Sequence, residues 1–226
     1  MARSPNREVA IGIGDTTVLG ELATPPGSRA VVVFAHGSGS SRHSPRNQLV
    51  AERLRARQLG TLLVDLLTLD EEHRDAPSGG FRFDIELLAE RVMAAVDWAE
   101  AEGLATSRGV GLFGASTGAA AALVAAARAP RRVGAVVSRG GRPDLAGEYL
   151  PNVEAPTLLI VGQRDHVVHE LNRVAARQLS GLHRIEVVPA ASHLFEEPGA
   201  LDSVATLAAD WFVEHLTDVR TTRSET

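Results

Sequence analysis

The chain has 226 residues, enough for one well-filled domain, and 44% hydrophobic with 23% charged residues is a composition typical of a globular protein. The formal net charge of −5 gives no reason to expect a nucleic-acid-binding surface, and the absence of cysteine excludes disulfides, thiolate metal sites and a cysteine nucleophile. All 23 basic residues are arginine, so no mechanism can use a lysine base or a lysine Schiff base.

Short apolar runs alternate with longer helical patterns, which predicts an α/β fold with a mostly parallel sheet and helices on both faces. The first two predicted strands, 8–13 and 18–23, are joined by a short turn and form an antiparallel hairpin. Continuous apolar runs, typical of strands buried on both faces, predict further strands at 30–35, 61–66, 110–113, 135–138, 157–161 and 184–188. Helical periodicity predicts helices at 47–58, 83–101, 117–128, 170–179 and 199–216.

The rest of the chain gives weaker signals about organisation. The interval 138–157 is short and rich in glycine and proline, so we expect no large lid over the site. The acidic stretch 70–75 is predicted to be a solvated loop, and Trp98 and Trp211 are predicted core residues. We expect a single domain over 1–226, with loose tails at 1–6 and 217–226.

No signal peptide or membrane span is evident in the sequence. The N-terminus has no apolar core of signal-peptide length, and no apolar run is long enough to cross a bilayer. We therefore expect a cytoplasmic protein with no membrane partner and no nucleic-acid partner. No pattern in the sequence indicates an oligomeric state.

The pentapeptide GASTG at residues 114–118 matches the pattern G-x-S-x-G, and its context raises the significance of that match. An apolar strand pattern precedes it and an Ala-rich helical pattern follows, which is the strand–turn–helix arrangement that exposes a nucleophilic serine. Gly114 and Gly118 would let strand and helix approach closely. Ser116 is the predicted nucleophile, although a glycine-rich turn with a capping Ser or Thr would show the same letters.

A serine nucleophile needs a base, and His193 is the predicted one. It lies just after the predicted strand 184–188, in the loop at the carboxyl edge of the sheet where Ser116 also falls. His183 precedes that strand and belongs to the opposite edge, and His169 is predicted at the start of a helix. The alternative interpretation of His193 is a loop histidine without a role.

The base needs an orienting carboxylate, and Asp165 is the first candidate. It follows the predicted strand 157–161 at the same edge, and the order Ser, Asp, His along the chain is the one that the G-x-S-x-G arrangement requires. Asp144, after the preceding strand, is the competing carboxylate. Asp165 can also be interpreted as a helix or turn cap.

Two further features bear on the oxyanion and on metal binding. The glycine-rich loop 36–41 follows the third strand, so the backbone N–H groups of Ser38 and Thr117 are the predicted oxyanion donors. A plain flexible turn is the alternative, and a phosphate-binding loop would need the lysine that the chain lacks. His166 and His169 have a spacing that can bind metal, but no third ligand is evident, so we expect no metal.

Several basic side chains fall near the predicted cleft. Arg42 and His43 follow the oxyanion loop, and Arg139 and Arg142 follow the sixth strand at the same edge. Arginines in this position can bind a carboxylate or phosphate on a substrate. The alternative, which remains open, is that they form structural ion pairs with neighbouring acidic residues.

With these motifs together, the sequence resembles the α/β-hydrolase superfamily and, within it, the dienelactone-hydrolase-like group of small serine esterases. The resemblance extends from about residue 8 to residue 216. The matching segments are HGSG at 36–39, GASTG at 114–118, GQRD at 162–165 and SH at 192–193. It implies an α/β-hydrolase fold and ester hydrolysis without a cofactor. Dienelactone hydrolases proper use a cysteine nucleophile where this chain has serine, so the resemblance does not extend to dienelactone as the substrate.

Two further stretches, 41–47 and 138–144, are similar to those of a bacterial branch of this group. Members of that branch are sometimes fused to a phosphoribosyltransferase domain, and residues 1–226 contain no such domain. From sequence and resemblance we expect hydrolysis of carboxylic esters with small or short-chain acyl groups, through an acyl-enzyme on Ser116. A thioesterase or acyltransferase using the same residues, and a non-catalytic interaction module of the same fold, remain the alternatives.

Overall fold

The computed structural model describes residues 6–75 and 79–217. The predicted tails therefore lie outside the described residues, except for Asn6 and Thr217. Thr217 is buried, and its hydroxyl accepts a hydrogen bond from Arg29 at 2.9 Å. No helix in the described part of the chain is long and apolar enough to cross a membrane.

One eight-stranded sheet forms the centre of the molecule, in the order β1-β2-β4-β3-β5-β6-β7-β8. β1 and β2 form an antiparallel hairpin, β2 also pairs antiparallel with β4, and all other neighbours are parallel. The prediction of about eight mostly parallel strands is confirmed. The strands are β1 Arg7–Ile13, β2 Thr16–Ala23, β3 Val31–Ala35, β4 Gly60–Val64, β5 Val110–Ala115, β6 Val133–Arg139, β7 Thr157–Gly162 and β8 His183–Val188.

Helices cover both faces of this sheet, as predicted. α1 and α6 pack together on one face, and α3 and α4 pack together on the other, where α5 lies over β7 and β8. Each face therefore has its own apolar core. The helices are α1 Pro45–Ala56, α2 Leu69–Asp75, α3 Ile85–Ala101, α4 Thr117–Arg128, α5 His166–Ala176 and α6 Ala200–Leu216.

The central strand β3 is apolar at every position because both of its faces are covered. In β3, Val31, Val33 and Ala35 enter one core, while Val32 and Phe34 enter the other. Phe34 contacts Phe113 of β5 with ring centroids 4.8 Å apart. Period-2 alternation buries successive side chains on opposite faces, so a continuous apolar run is stable only in such a central strand.

The predicted loop at 70–75 is wrong, since this stretch forms α2. The sequence lacks an apolar period, but it contains a capping box. The Thr68 hydroxyl accepts the N–H of Glu71 at 3.1 Å, and the Glu71 carboxylate accepts the N–H of Thr68 at 2.7 Å. The same carboxylate pairs with the buried Arg91 at 2.7 Å, so polar contacts rather than apolar packing fix this helix.

The helix predicted at 170–179 begins earlier, at His166. Asp165 occupies the position before the helix, and its side chain accepts the N–H of Val168 at 3.4 Å. A side-chain acceptor at this position stabilises the first turn by about 1 kcal/mol, which moves the start of the helix toward the strand.

The connection between β6 and β7 holds no inserted domain. It contains a 3₁₀ segment, Pro143–Asn152, whose Ala146 and Leu150 are buried and which packs against α4 and α5. Among the residues that the structure describes, no large lid covers the carboxyl edge of the sheet. This edge is therefore shaped by loops alone.

Candidate active site

Ser116 occupies a sharp turn between β5 and α4 with φ 51° and ψ −121°. A non-glycine residue with positive φ in this region is strained, so the surrounding structure must hold it there. Close packing does so on both sides. A Cβ atom at Gly114 would lie 2.3 Å from the Ala119 Cα atom, and one at Gly118 would lie 2.4 Å from the Ala35 carbonyl oxygen.

Backbone hydrogen bonds from the neighbouring strand complete the turn. The N–H of Ser116 donates to the Arg139 carbonyl at 3.3 Å, and the carbonyl of Ser116 accepts from the Arg142 N–H at 3.1 Å. The loop after β6 is thus attached directly to the turn that holds Ser116. Asn172 of α5 anchors this loop in turn, because its Nδ2 donates to the Gly141 carbonyl at 2.9 Å.

His193 and Asp165 are in contact, with 2.6 Å between Nδ1 and Oδ2. The His193 side chain is 41% exposed and that of Asp165 only 14%, so the carboxylate is shielded while the imidazole reaches the open side. Because Nδ1 is held by Asp165, Nε2 is the nitrogen left to exchange a proton. Asp165 is therefore both the helix cap and the partner of His193, so the two interpretations of this residue are compatible.

The loop that carries His193 is held by contacts at its base. The Glu197 carboxylate accepts the Ser192 N–H with both oxygens at 3.0 Å, and this hydrogen bond is the main reason that the pKa of Glu197 lies below its usual range. Gln163 accepts the N–H of Ala190 at 2.8 Å. Ala190 has positive φ, as does the buried Phe195. Because this backbone conformation is strained in residues other than glycine, the surrounding contacts must hold both ends of the loop. Glu197 lies in no sequence motif and could not be singled out beforehand, whereas Gln163 belongs to the segment GQRD at 162–165, which gave no indication of this contact.

The predicted oxyanion donors lie side by side. As the first residue of α4, Thr117 has an N–H without an acceptor inside the helix. The N–H of Ser38 donates to the Thr117 hydroxyl at 3.0 Å, which directs it toward the same helix end. Gly37 brings this loop against the turn that holds Ser116, because a Cβ atom there would lie 3.0 Å from the Ser116 Cβ atom. Their role in oxyanion binding stays a prediction.

His36 fixes the loop after β3, and it does so in its neutral form. Its Nδ1 lies 2.9 Å from the Gly37 carbonyl, which can only accept, while its Nε2 accepts the Leu66 N–H at 3.0 Å. Nδ1 must therefore carry the only ring proton. Burial lowers the pKa of His36, although the Gly37 carbonyl and the nearby charge of Asp65 act in the opposite direction.

Acid is therefore expected to weaken the fold through His36. A base whose pKa is lowered by folding binds more protons in the unfolded chain, so its contribution to stability is complete above pH 6.5 and is lost as the pH falls below that value. When the pH is lowered from 7.5 to 5.5, the free energy of unfolding should fall less in His36→Gln than in the wild type. The difference between the two should be about 1 kcal/mol. Urea denaturation measures this, with the exposed His73→Gln as matched control. Equal pH slopes for His36→Gln and the wild type would contradict it.

Two cavities open on either side of the loop 36–41. The larger, of about 510 Å³, is lined by residues including His36, Ser41, Leu88 and Thr117, but not by Ser116. The smaller, of about 180 Å³, is lined by Ser116 and His193 together. Of these two cavities, only the smaller is lined by both Ser116 and His193, so it is the candidate active site and the larger cavity adjoins it.

The four basic side chains named from the sequence have different surroundings. The Arg42 side chain is engaged by Asp65 and by Glu8, and Arg142 is bound by Asp144 through two hydrogen bonds of 2.8 and 2.9 Å. Asp144 is thereby occupied away from His193. His43 lines the larger cavity. The carboxylates of the chain already bind Arg42 and Arg142, so substrate binding by Arg42, His43 and Arg142 stays a prediction.

Arg139 differs from these. It is 7% exposed, and it lines the smaller cavity with Ser116 and His193.

In the part of the chain that the structure describes, no group of three or more His, Cys, Asp or Glu side chains could hold a metal ion. His166 is exposed at the start of α5.

Comparison with known proteins agrees with this architecture. A family model described as "Alpha/beta hydrolase domain" matches residues 28–211. A solved structure of dienelactone hydrolase from Anabaena variabilis is 52% identical, with a TM-score of 0.90, and the match covers 95% of this chain and 100% of that one. Est1E from Butyrivibrio proteoclasticus has a TM-score of 0.76 at 16% identity, covering 92% and 98% of the two chains, which shows the shared fold.

Two curated relatives from strains of Mycobacterium tuberculosis are 56% identical over 211 residues, and both are named "Putative phosphoribosyl transferase". The match covers 93% of this chain but 47% of each relative, so the chain spans about half the length of these proteins. The name describes the longer protein. The chain belongs to the α/β-hydrolase family, and its fold is that of the dienelactone-hydrolase-like members.

Proposed function

We propose that the protein is a serine hydrolase that cleaves carboxylic esters with small or short-chain acyl groups. The observation that carries the proposal is the 2.6 Å contact between His193 and Asp165 at the cavity that contains Ser116. The name of the 52% identical Anabaena protein, a dienelactone hydrolase, supports ester chemistry. Short acyl groups suit a cavity of about 180 Å³.

In this mechanism the Ser116 hydroxyl attacks the acyl carbon while His193 Nε2 takes its proton. Asp165 keeps the imidazole in the correct tautomer and stabilises the cation that forms. The N–H groups of Thr117 and Ser38 bind the negative oxygen of the tetrahedral intermediate, which requires the Ser38 N–H to exchange the Thr117 hydroxyl for the oxyanion. The alcohol leaves with the proton from His193, and water then releases the acid from Ser116 by the reverse sequence.

A fluorophosphonate probe tests the proposal directly, because it reacts preferentially with an activated serine. We expect one phosphonyl group per folded chain, located on Ser116 by peptide mass spectrometry. Labelling should be much slower in His193→Gln, which keeps the serine but lacks the base. An unlabelled wild type would contradict the proposal and favour a non-catalytic interaction module of the same fold.

Thioester hydrolysis and acyl transfer proceed through the same acyl-enzyme, so labelling does not separate them from ester hydrolysis. A panel of p-nitrophenyl esters, acyl thioesters and amine or alcohol acceptors does. We expect the oxygen esters to have the highest kcat/KM, and water to be the preferred acceptor.

A further inference from the structure

Arg139 is a buried cation that has no carboxylate partner among the residues that the structure describes. It is 7% exposed, and its Nε and Nη1 atoms are buried with no hydrogen-bond acceptor in the part of the chain that the structure describes. A guanidinium cannot neutralise itself by losing its proton at ordinary pH, so such a group is costly unless an anion joins it. The side chain lines the cavity of Ser116 and His193.

If Arg139 had a purely structural role, we would expect the fold to place a carboxylate against its guanidinium, as it does for comparable arginines. Arg91, 5% exposed, is paired with Glu71 at 2.7 Å, and Arg142, three residues after Arg139, is paired with Asp144 at 2.8 Å. The cavity is instead lined by a second cation, Arg46. Its Nε is also buried and has no hydrogen-bond partner among the described residues. Among the described residues, the one carboxylate that Arg46 reaches is that of the exposed Glu196, at 3.4 Å.

Arg139 keeps its positive charge in this environment. Its pKa is lowered to about 10, first by burial and second by the positive charge of Arg46, so it remains protonated at neutral pH. Asn47, whose Oδ1 is buried without a partner, lines the same cavity, but a neutral acceptor cannot balance the charge. The cavity therefore presents a positive field beside the nucleophile.

The backbone holds Arg139 in register with Ser116. Its carbonyl accepts the Ser116 N–H at 3.3 Å, and the next residue, Gly140, has positive φ and donates to the Ile160 carbonyl at 2.8 Å. Gly140 also approaches His193, since a Cβ atom there would lie 3.0 Å from the His193 carbonyl oxygen. A ligand bound by Arg139 is thus kept at a fixed distance from the reacting serine.

We propose that Arg139, assisted by Arg46, binds an anionic substituent of the substrate, a carboxylate or a phosphate carried a few atoms from the scissile ester. The inference rests on the proposed function, since it names the substrate class of the same site. A guanidinium suits such a group because its planar fork matches the oxygens of both anions.

The test compares esters that differ in one charge. Mono-p-nitrophenyl glutarate against p-nitrophenyl butyrate places the anion on the acyl side, and 4-acetoxybenzoate against 4-methylphenyl acetate places it on the alcohol side. In the wild type, kcat/KM should favour the anionic member of one pair. In Arg139→Met this preference should fall by about 10- to 100-fold, the range of one charge-assisted hydrogen bond, and Arg139→Lys should retain part of it.

The matched control is Arg173→Met, which removes the same charge from a surface residue of α5 that is paired with Glu170, and it should keep the preference. Inhibition of p-nitrophenyl butyrate hydrolysis by glutarate and by inorganic phosphate distinguishes the two anions through their inhibition constants. If Arg139→Met does not fold, measurements on the wild type alone test the inference. Salt-sensitive inhibition by either anion, with preference for an anionic ester, supports the inference, and the absence of both overturns it.

Failure of the inference and failure of the proposed function give different results. Neutral esters hydrolysed through Ser116, with no charge preference and no inhibition, would overturn the anion site and leave the esterase intact. If no ester is hydrolysed, calorimetric titration of the wild type and Arg139→Met with glutarate and phosphate still tests the site. Binding lost in Arg139→Met supports it, and no binding to the wild type overturns it.

Discussion

Replacing Ser116 by alanine is expected to lower kcat for p-nitrophenyl acetate by about 10⁴-fold or more, to a rate set by oxyanion binding alone. The reason is that the variant lacks the hydroxyl that forms the acyl-enzyme, and the chain has no cysteine or lysine to replace it. KM should change little, because the serine hydroxyl contributes little to ground-state binding. Initial-rate kinetics on acetate and butyrate esters measure this.

The matched control is Ser107→Ala, in an exposed turn before β5 at the opposite edge of the sheet. It should keep wild-type kinetics. Circular dichroism should show both variants folded, since alanine tolerates the Ser116 backbone no worse than serine does. Equal rates for Ser116→Ala and the wild type would remove Ser116 from the mechanism.

Replacing Gly118 by alanine is expected to cost about 3 kcal/mol or more in the free energy of unfolding. The added Cβ atom would lie 2.4 Å from the carbonyl oxygens of both Ala35 and His36. Both are backbone atoms at the end of a central strand, so no side chain can turn aside to relieve the clash. Alanine's better helix propensity returns only about 1 kcal/mol.

Urea denaturation measures this change, with Gly12→Ala in β1 as the control. A Cβ atom at Gly12 meets nothing within 4 Å, and its φ is not in the left-handed region. That variant should be as stable as the wild type or more stable by up to about 1 kcal/mol. Similar stabilities for Gly118→Ala and Gly12→Ala would contradict this prediction, because they would show that β3 and α4 can move apart at Gly118.

The elements that carry the site could be predicted from sequence because each depends on a local rule. Strands buried on both faces are apolar throughout, and the carboxyl ends of parallel strands meet at one edge. Those two rules were enough to bring Ser116, Asp165 and His193 to the same side of the sheet. The strand bounds differ from the predicted ones by at most two residues at either end, and in most strands hydrogen bonding continues past the apolar run.

What could not be predicted depends on contacts between distant residues. α2 is held by Arg91, which lies 20 residues beyond Glu71, although the capping box at Thr68 was a usable signal. The arginines near the cleft looked alike in sequence. Only the fold shows that Arg42 and Arg142 have carboxylate partners, while Nε and Nη1 of Arg139 have no acceptor among the described residues, because pairing depends on which loops meet.

The strand order also has a consequence for how the protein acquires reactivity during folding. Ser116, Asp165 and His193 follow β5, β7 and β8, and β5 to β8 are joined in the sheet only by parallel pairing. Parallel pairs need long crossovers and form late compared with local helices. In a refolding experiment, helical circular dichroism should therefore recover before Ser116 regains its reactivity toward a fluorophosphonate. The rate of labelling would then report the closing of the last crossover rather than the collapse of the chain.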